Sequence, residues 1–500
     1  MKHKLKRIAA SVLTLALLAV PALAAAENVG SSTLNVANNT VYTYSTQAVT
    51  SDSGKQTNLH ENIFTYKKEA QVRPVVAFGT TLYGTSPMNK TIKTLEEQGY
   101  SMVAGINGSF FDRSTGIPYG IVVTNSILRS GGSANAVGFL ADGSALIGDP
   151  VVAVTLDYGA DTPLLLNYNK AMTTQNGVLL YSQDYDTRTK NTIEGYHVIV
   201  RPVGSRAAEL RLGQSLTVEV IGMVEDTKSC SIPEDGFLLA IANDTAYKSA
   251  LAALKGMVMG QQMTIQVTCA SGWENVTSAA GGGDMLVENG QVCTDFTLDS
   301  AKKMAARTAI GVTRDGSLIL YTCDEAGNSD GLTLAQLAER MLALGCQTAL
   351  NLDGGGSSTL YTAALGTRNV CSDGNERADG DAIYAVIDAE EDNTVAEVRF
   401  ADWRRTVPSG GLFTPTVYAY NKAGVLIDTD FKDYTLSCDE GLGTIIADGK
   451  TLMATGKGAH ALTVSCGDAA SSSIVVTVSD DKAAVKATRD NACATTKIRI

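Results

Sequence analysis

The sequence predicts a mixed α+β (α/β) catalytic domain with a βαβ-type site, followed by an all-β sandwich. Residues 317–352 contain an apolar segment, an amphipathic segment and a second apolar segment. A strand, a crossover helix and a strand in this order normally form a parallel, right-handed unit. After residue 394, short segments with alternating apolar residues follow one another, and this spacing is typical of an all-β sandwich.

The elements of the βαβ unit follow from its apolar pattern. Strands are predicted at residues 317–323 and 347–352. Between them, Thr333 and Gln336 have the spacing of a capping box, and an apolar stripe continues until Gly345 ends the helix. The ends of both strands should lie at one edge of the sheet, about 4.8 Å apart if the strands are neighbours. Open α/β sheets usually bind ligands at that edge.

An earlier segment has the same order of features. Residues 95–111 and residues 342–358 each contain a helix end, a glycine, a strand and a turn rich in Gly and Ser, which holds Asn107 or Asp353. Either chance or an internal duplication explains this likeness. A duplication would predict that both turns face the same cavity.

Composition and charge exclude several classes of protein. Hydrophobic residues make up 44% and charged residues 18% of the chain, as in globular proteins. The 40 basic and 52 acidic residues give a net charge of −12, which disfavours a partner such as nucleic acid. The nine cysteines contain no C-x-x-C pair and only four histidines occur, so a zinc site is not expected. No nucleophile elbow or Walker loop is present.

The N-terminus has the order of a secretory signal: a basic start, an apolar run and a stretch of small residues. A membrane anchor is the alternative, but the apolar run is short for a ~30 Å bilayer. We therefore expect a secreted, extracellular protein with no membrane span after signal removal. The predicted domains are a signal peptide (1–26), a β-rich segment packed on the catalytic domain (27–95), the catalytic domain (96–389), the sandwich (394–481) and a tail (482–500).

Four blocks of sequence resemble the phosphodiester glycosidase family. They are INGSFF at 106–111, RTAIG at 307–311, GLTLAQLAERMLALG at 331–345 and ALNLDGGGSSTL at 349–360. The likeness spans roughly residues 70–388, and the last block is its most specific part. It implies a hydrolase that cleaves the glycosidic C–O bond of sugar 1-phosphodiesters, such as N-acetylglucosamine-1-phosphodiester-like glycans, and requires no cofactor. The region after residue 394 resembles the bacterial immunoglobulin-like modules of secreted enzymes.

The chemistry of this reaction points to particular residue types. Cleavage at an anomeric carbon passes through an oxocarbenium-like state, which carboxylates stabilise while they handle water. Asp353 and Asp324, each directly after a predicted strand, are the predicted catalytic residues. Guanidinium groups, backbone N–H groups and hydroxyls would hold the phosphate. The predicted substrate- and phosphate-binding residues are Arg307, Asn107, Asn351, Gly354, Gly355, Gly356, Ser357, Ser358 and Arg377.

Structural alternatives stand beside these roles. Asp353 could belong to a simple turn, Arg307 could be an ion-pair partner, and Asn107 could cap a turn. In the sandwich, Cys438 and Cys466 are either a disulfide or two buried thiols.

Other functions and ligands also stay open. Asp353 and Asp324 offer hard oxygen ligands that suit Ca²⁺ or Mg²⁺, so the metal is unknown. One rival function is a phosphodiesterase that breaks the P–O bond. Another is a non-catalytic glycan-binding or exopolysaccharide-assembly protein. The expected partner is a glycosyl-phosphate glycan, with further contact between cell-surface glycans and the immunoglobulin-like module.

Overall fold

The structure is a computed structural model. It describes residues 27–50, 56–482 and 485, apart from positions 69, 133, 205, 389–391, 403 and 447. The predicted signal peptide, most of the predicted tail and part of the acidic linker lie outside the described residues. Within the part of the chain that is described, no helix is long and apolar enough to cross a membrane.

The molecule is built mainly of β-strands, so the predicted α/β (mixed α+β) class is wrong. Strands account for 46% of the structure and helices for 8%. The α-helices among the described residues are α1 (Met88–Glu97), α2 (Lys248–Lys255) and α3 (Leu334–Ala343). The prediction gave too much weight to one strand–helix–strand unit, whereas short strands that pair with their neighbours make up most of the chain.

The largest sheet has eight strands and carries the predicted βαβ unit. Its order is β1 (Glu27–Ala37), β2 (Thr40–Thr50), β3 (Gln56–Tyr66), β21 (Leu318–Cys323), β20 (Arg307–Thr313), β22 (Cys346–Asn351), β18 (Met285–Glu288) and β19 (Gln291–Val292). The predicted capping box is present, since the Thr333 hydroxyl accepts the Gln336 N–H and the Gln336 side chain accepts the Thr333 N–H. It starts α3, which crosses from β21 to β22.

The strands of the predicted βαβ unit are not neighbours, because β20 lies between them. β21 and β22 both pair antiparallel with β20 and are therefore parallel to each other. β20 directly precedes β21 and forms a hairpin with it, as consecutive strands often do. It therefore occupies the position next to β21 that was predicted for β22. The ends of β21 and β22 nevertheless lie at one edge of the sheet, together with Arg307 at the start of β20.

Two five-stranded sheets pack near this large sheet. One has the order β24 (Gly366–Thr367), β23 (Leu360–Thr362), β5 (Ser101–Asn107), β25 (Asp381–Ile387) and β4 (Arg73–Phe78). The other has the order β7 (Ile127–Ser130), β6 (Val122–Thr124), β17 (Val276–Gly281), β8 (Ala136–Leu140) and β9 (Ala145–Gly148). One apolar core joins the three sheets. It contains Phe64 and Leu350 from the eight-stranded sheet, Ile106 from the first five-stranded sheet and Phe139 from the second.

A closed barrel shares its apolar core with the second of these sheets, which contributes Val123 and Val276. Its strands are β10 (Ala153–Asp157), β11 (Leu164–Tyr168), β12 (Val178–Tyr181), β15 (Phe237–Ala242), β13 (Gly195–Pro202), β14 (Ser215–Thr227) and β16 (Gln262–Thr268). Alternate residues of these strands, such as Val198 and Val200, are buried in its apolar interior. The barrel is therefore filled with side chains.

The C-terminal region consists of three small sheets around its own core. The first sheet has the order β26 (Glu397–Phe400), β29 (Val417–Tyr420) and β30 (Leu426–Asp428). The second has the order β27 (Arg404–Val407), β35 (Ser472–Val478), β34 (Gly458–Ser465) and β31 (Thr435–Cys438). The third has the order β28 (Leu412–Phe413), β33 (Thr451–Ala454) and β32 (Gly443–Ile446). Cys438 and Cys466 are free thiols. The immunoglobulin-like assignment and the domain boundaries stay predictions.

The C-terminal region also packs on the N-terminal strands. Tyr420 and Leu426 are buried in the same core as Leu34 and Val36, and the Tyr420 hydroxyl donates to the Asn35 carbonyl at 3.0 Å. The two regions therefore share an apolar interface.

Candidate active site

Asp353 lies in the glycine-rich turn that follows β22. One of its carboxylate oxygens accepts the Gly354 N–H at 2.9 Å, and the other accepts the Ser357 hydroxyl at 2.7 Å. Burial raises the pKa of Asp353, while these donors and the Arg377 guanidinium oppose that rise. The carboxylate is thus oriented by its own turn and remains partly accessible.

The turn after β5 contacts the Asp353 turn directly. The Asn107 amide donates to the Asp353 carbonyl at 2.7 Å, and the Asp353 N–H donates to the Gly108 carbonyl at 3.1 Å. The Asn107 carbonyl oxygen accepts the Thr308 hydroxyl and the Thr359 N–H. The two turns with similar sequences therefore do lie together, and Asn107 uses its amide to join three elements.

Asp379 and Asp381, which the sequence analysis missed, lie at the start of β25 beside this turn. The Asp381 carboxylate accepts the Ser109 N–H at 2.6 Å and the Ser109 hydroxyl at 2.7 Å. Gly108 is required there, because a Cβ at this position would overlap the Asp381 carboxylate. The NGS part of the INGSFF block thus serves to hold Asp381 against the site. The Asp-x-Asp pair before a buried strand was the available sequence signal.

The carboxyl groups of this cluster have strongly displaced pKa values. Burial and the neighbouring Asp353 carboxylate raise the pKa of Asp379 to about 8, and burial raises that of Asp381 to about 6. The Ser357 hydroxyl, which donates to Asp353, lies near Asp379 and opposes the rise in the pKa of Asp379. The Oδ1 atom of Asp379 is buried without a partner among the described residues. Ser357 therefore lies beside both Asp353 and a carboxyl group that is protonated at neutral pH.

Arg377, in the segment between β24 and β25, contacts the same Ser357 hydroxyl. Its Nη1 donates to Ser357 Oγ at 3.1 Å, and its Nε and Nη2 donate to Asp373 at 2.9 and 2.6 Å. Gly356 makes this approach possible, since a Cβ there would overlap both the Arg377 guanidinium and the Asp373 carboxylate. The structure thus places Arg377, Gly356 and Ser357 together at Asp353.

Asp324 occupies a different environment from Asp353, although both follow parallel strands. The Asp324 carboxyl group is buried, and the nearby Val370 N–H and His60 oppose the rise in its pKa. Burial raises its pKa to about 6, and its Oδ1 atom has no partner among the described residues. The Asp353 charge raises the pKa of Asp379 and is not among the causes of the raised pKa of Asp324. The intervening strand β20 separates the two predicted catalytic residues.

Arg307 is buried at the same edge and is bound to backbone carbonyls. Its Nε donates to the Leu332 carbonyl at 2.8 Å, and its Nη2 donates to the carbonyls of Ser300 and Lys303 at 2.7 and 2.6 Å. Burial lowers its pKa. These bonds fix the segment before β20, and they use two of the three guanidinium nitrogens.

Among the remaining predicted binding residues, some form hydrogen bonds within the protein, whereas the Asn351 side chain forms none with the described residues. The N–H groups of Gly354 and Gly355 donate to Asp353 and to the Ala306 carbonyl, respectively, and Ser358 Oγ lies 3.0 Å from the Thr308 hydroxyl oxygen. Asn351 differs, because both polar atoms of its buried side chain lack a partner in the described part of the chain. An unpaired buried amide costs about 1–3 kcal/mol per group, so Asn351 is suited to a ligand or to water.

A metal site does not emerge from the side chains that the structure describes. No group of three or more His, Cys, Asp or Glu residues among them is arranged to hold a metal ion. Asp353 and Asp324 have different neighbours, as described above. A divalent cation at these residues stays a prediction.

The comparisons with known proteins agree with the region that holds this cluster. Residues 215–386 match the family model described as phosphodiester glycosidase, which confirms the resemblance seen in the sequence over that part of the chain. Mouse N-acetylglucosamine-1-phosphodiester alpha-N-acetylglucosaminidase is 46% identical over 56 residues, or 11% of this chain and 11% of that protein. The chain therefore matches about a tenth of the length of this curated relative.

Two solved structures have a similar fold. A hypothetical protein from Synechocystis has a TM-score of 0.58 and 20% identity, over 71% of this chain and 64% of that chain. A putative exported protein from Burkholderia pseudomallei has a TM-score of 0.57 and 14% identity, over 72% of this chain and 97% of that chain. These likenesses concern the fold.

Proposed function

We propose that this protein is a secreted hydrolase that cleaves the glycosidic C–O bond of sugar 1-phosphodiesters. The observation that carries the proposal is the neighbouring carboxyl pair Asp353 and Asp379, with the Ser357 hydroxyl bound to Asp353 and to the Arg377 guanidinium. Two carboxyl groups with pKa values pushed apart are the usual acid and base of glycoside hydrolysis. The family match over residues 215–386 supports this chemistry.

Each side chain of the cluster has its own role in the proposed reaction. Asp353, oriented by Gly354 and Ser357, is the carboxylate that faces the positive charge at the anomeric carbon and acts as base or nucleophile. Asp379, protonated at neutral pH, supplies a proton to the departing phosphate oxygen. The water oxygen is added to the sugar, and the phosphate monoester leaves. Arg377 supplies positive charge for the phosphate, and the unpaired amide of Asn351 supplies a hydrogen bond to the substrate.

The proposal also covers the substrate class and the location of the protein. The name of the mouse relative suggests N-acetylglucosamine-1-phosphodiester-like glycans as a first substrate to test. Export is supported by the basic, apolar and small-residue order of residues 1–26. Contact of the C-terminal region with cell-surface glycans belongs to the same proposal.

The test is a reaction with sugar 1-phosphodiesters in water labelled with heavy oxygen. Label in the released sugar supports C–O cleavage by this protein. Label in the phosphate would instead identify a phosphodiesterase that breaks the P–O bond. Binding of phosphoglycans without any release of sugar or phosphate would support the non-catalytic alternative, a glycan-binding or exopolysaccharide-assembly protein.

A further inference from the structure

Tyr119 presents an exposed aromatic ring on the loop between β5 and β6, which begins at the Asn107 turn. It is 59% exposed, and it and Tyr247 are the large exposed aromatic residues among those the structure describes. Tyr119 lies outside the segment that matches the family model. Its ring covers no part of the described cores, so packing does not explain an aromatic residue at this position.

The backbone of Tyr119 is held rigidly although its ring is exposed. The Tyr119 N–H donates to the Phe110 carbonyl at 2.9 Å. The Lys170 ammonium donates to the carbonyls of Pro118, Tyr119 and Gly120 at 2.5, 3.2 and 3.2 Å, and to the Ser130 hydroxyl at 2.8 Å. The Lys170 side chain, which binds three consecutive carbonyls, therefore fixes the backbone from which the ring projects.

The same loop connects Tyr119 to Asp353. The Asp353 N–H donates to the Gly108 carbonyl, and Phe110, two residues further on, pairs with Tyr119. Burial, followed by the carboxylates of Asp112 and Asp353, raises the pKa of the Tyr119 phenol. The ring therefore lies within electrostatic reach of the carboxylate that faces the anomeric carbon.

We propose that Tyr119 is the platform on which the sugar ring of the substrate stacks, and that Lys170 is its positioning residue. This inference rests on the proposed function and adds the contact that selects a pyranose. Aromatic faces attract the C–H faces of sugars through dispersion and through their quadrupole. A tyrosine with a fixed backbone loses little conformational entropy when it binds a ligand.

The first experiment compares Tyr119→Ala and Tyr119→Phe in the full chain. Tyr119→Ala should raise KM for a sugar 1-phosphodiester about tenfold, which corresponds to about 1.4 kcal/mol, with kcat within about threefold. Tyr119→Phe keeps the ring and should stay within about twofold of the unmodified protein. Tyr247→Ala is the matched control, because it removes an exposed tyrosine from the barrel region and should change neither constant.

A direct binding measurement separates this inference from the proposed function. Calorimetry with N-acetylglucosamine 1-phosphate should show about tenfold weaker binding for Tyr119→Ala, whereas inorganic phosphate should show no difference between the two proteins. If Tyr119→Ala and the unmodified protein bind the sugar phosphate equally well, or if the unmodified protein does not bind it, the proposed role of Tyr119 is overturned. Absence of turnover in the unmodified protein would instead overturn the proposed reaction, and the binding result would still decide the role of Tyr119.

The role of Lys170 is tested by a double-mutant cycle. Lys170→Met should raise KM through displacement of the Tyr119 ring, so the double variant with Tyr119→Ala should bind no more weakly than Tyr119→Ala alone. An effect of Lys170→Met that persists in the Tyr119→Ala background would overturn its positioning role. Such an effect would show that Lys170 acts through the nearby Asp381 charge or through general stability.

Discussion

At the scale of single residues, Ser357 lies beside the two carboxyl groups on which the proposed reaction depends. Its hydroxyl donates to Asp353 and accepts from Arg377, and it lies near Asp379, whose pKa it lowers. The arrangement keeps one group ionised and the other neutral, because two close carboxylates do not both ionise easily.

Replacement of Asp353 by asparagine should remove most activity and leave the fold intact. The amide has nearly the same shape but carries no negative charge and cannot act as a base. We expect kcat to fall by about 10²–10⁴ for Asp353→Asn, the usual cost of a lost acid/base group. Steady-state kinetics measure this change, and Asp161→Asn on an exposed loop is the control. Activity within a few-fold of the unmodified protein would remove Asp353 from the mechanism.

The pH dependence of activity should identify Asp379 as the proton donor. Its pKa is raised to about 8, so the donor form is present below that pH and is lost as the pH rises through it. We expect kcat to fall with rising pH above about 8, by about tenfold per unit when proton donation limits the rate. Asp379→Asn should be slower at pH 7 and should lack this alkaline limb. An unchanged limb in that variant would contradict the assignment.

At the scale of elements, the glycine-rich turn depends on a position without a side chain. A Cβ at Gly356 would overlap the Arg377 guanidinium and the Asp373 carboxylate. Gly356→Ala should therefore move Arg377 away from Ser357 and lower kcat/KM for phosphodiesters by about tenfold or more. Gly256→Ala is the control, since a Cβ there meets only the carbonyls at the end of α2 at 3.4 and 3.5 Å. Equal kinetics for both variants would show that the Arg377 contact is dispensable.

Arg307 should contribute mainly to the stability of the segment before β20. Lysine keeps the charge but loses the planar fork that reaches the Leu332, Ser300 and Lys303 carbonyls. Arg307→Lys should lower the free energy of unfolding by about 1–3 kcal/mol, measured by denaturant unfolding. Arg201→Lys, in an exposed ion pair, should change it by less than about 1 kcal/mol. A higher KM with unchanged stability would instead support the phosphate-binding role predicted from the sequence.

At the scale of the whole molecule, the C-terminal region stabilises the N-terminal strands while the proposed catalytic groups lie elsewhere. Tyr420, Val425 and Leu426 are buried against Leu34 and Val36. Deletion of residues 394–500 should therefore lower the melting temperature and leave turnover of a small soluble substrate intact. Each fully buried side chain of this type contributes roughly 1.5–3 kcal/mol.

A single substitution in the full chain distinguishes the effect of the interface from the effect of removing residues 394–500. Tyr420→Ala should destabilise the protein by about 3–5 kcal/mol, as for other large buried aromatic residues, and should leave kcat unchanged. A deletion variant that folds but has no activity, while Tyr420→Ala is active, would place an essential group within residues 394–500.

Local patterns predicted several elements of this structure correctly. The capping box at Thr333 starts α3, Gly345 follows its end, and Asp353 lies in a turn after a buried strand. These features depend on contacts between residues close in sequence, which a local pattern contains. The fold class was wrong because the partner of each strand depends on distant segments, and β20 was not expected between β21 and β22.

The sequence by itself determined the glycine-rich turn with Asp353, the turn with Asn107 and the resemblance to phosphodiester glycosidases. Only the tertiary structure decided which second carboxyl group lies near Asp353, because the pairing of β25 with β5 brings Asp379 to that turn. Burial in that fold, and not the residue type, sets the pKa of Asp379. Charge burial and contacts between segments far apart in the chain arise only when the sheets assemble, so no local spacing could reveal them.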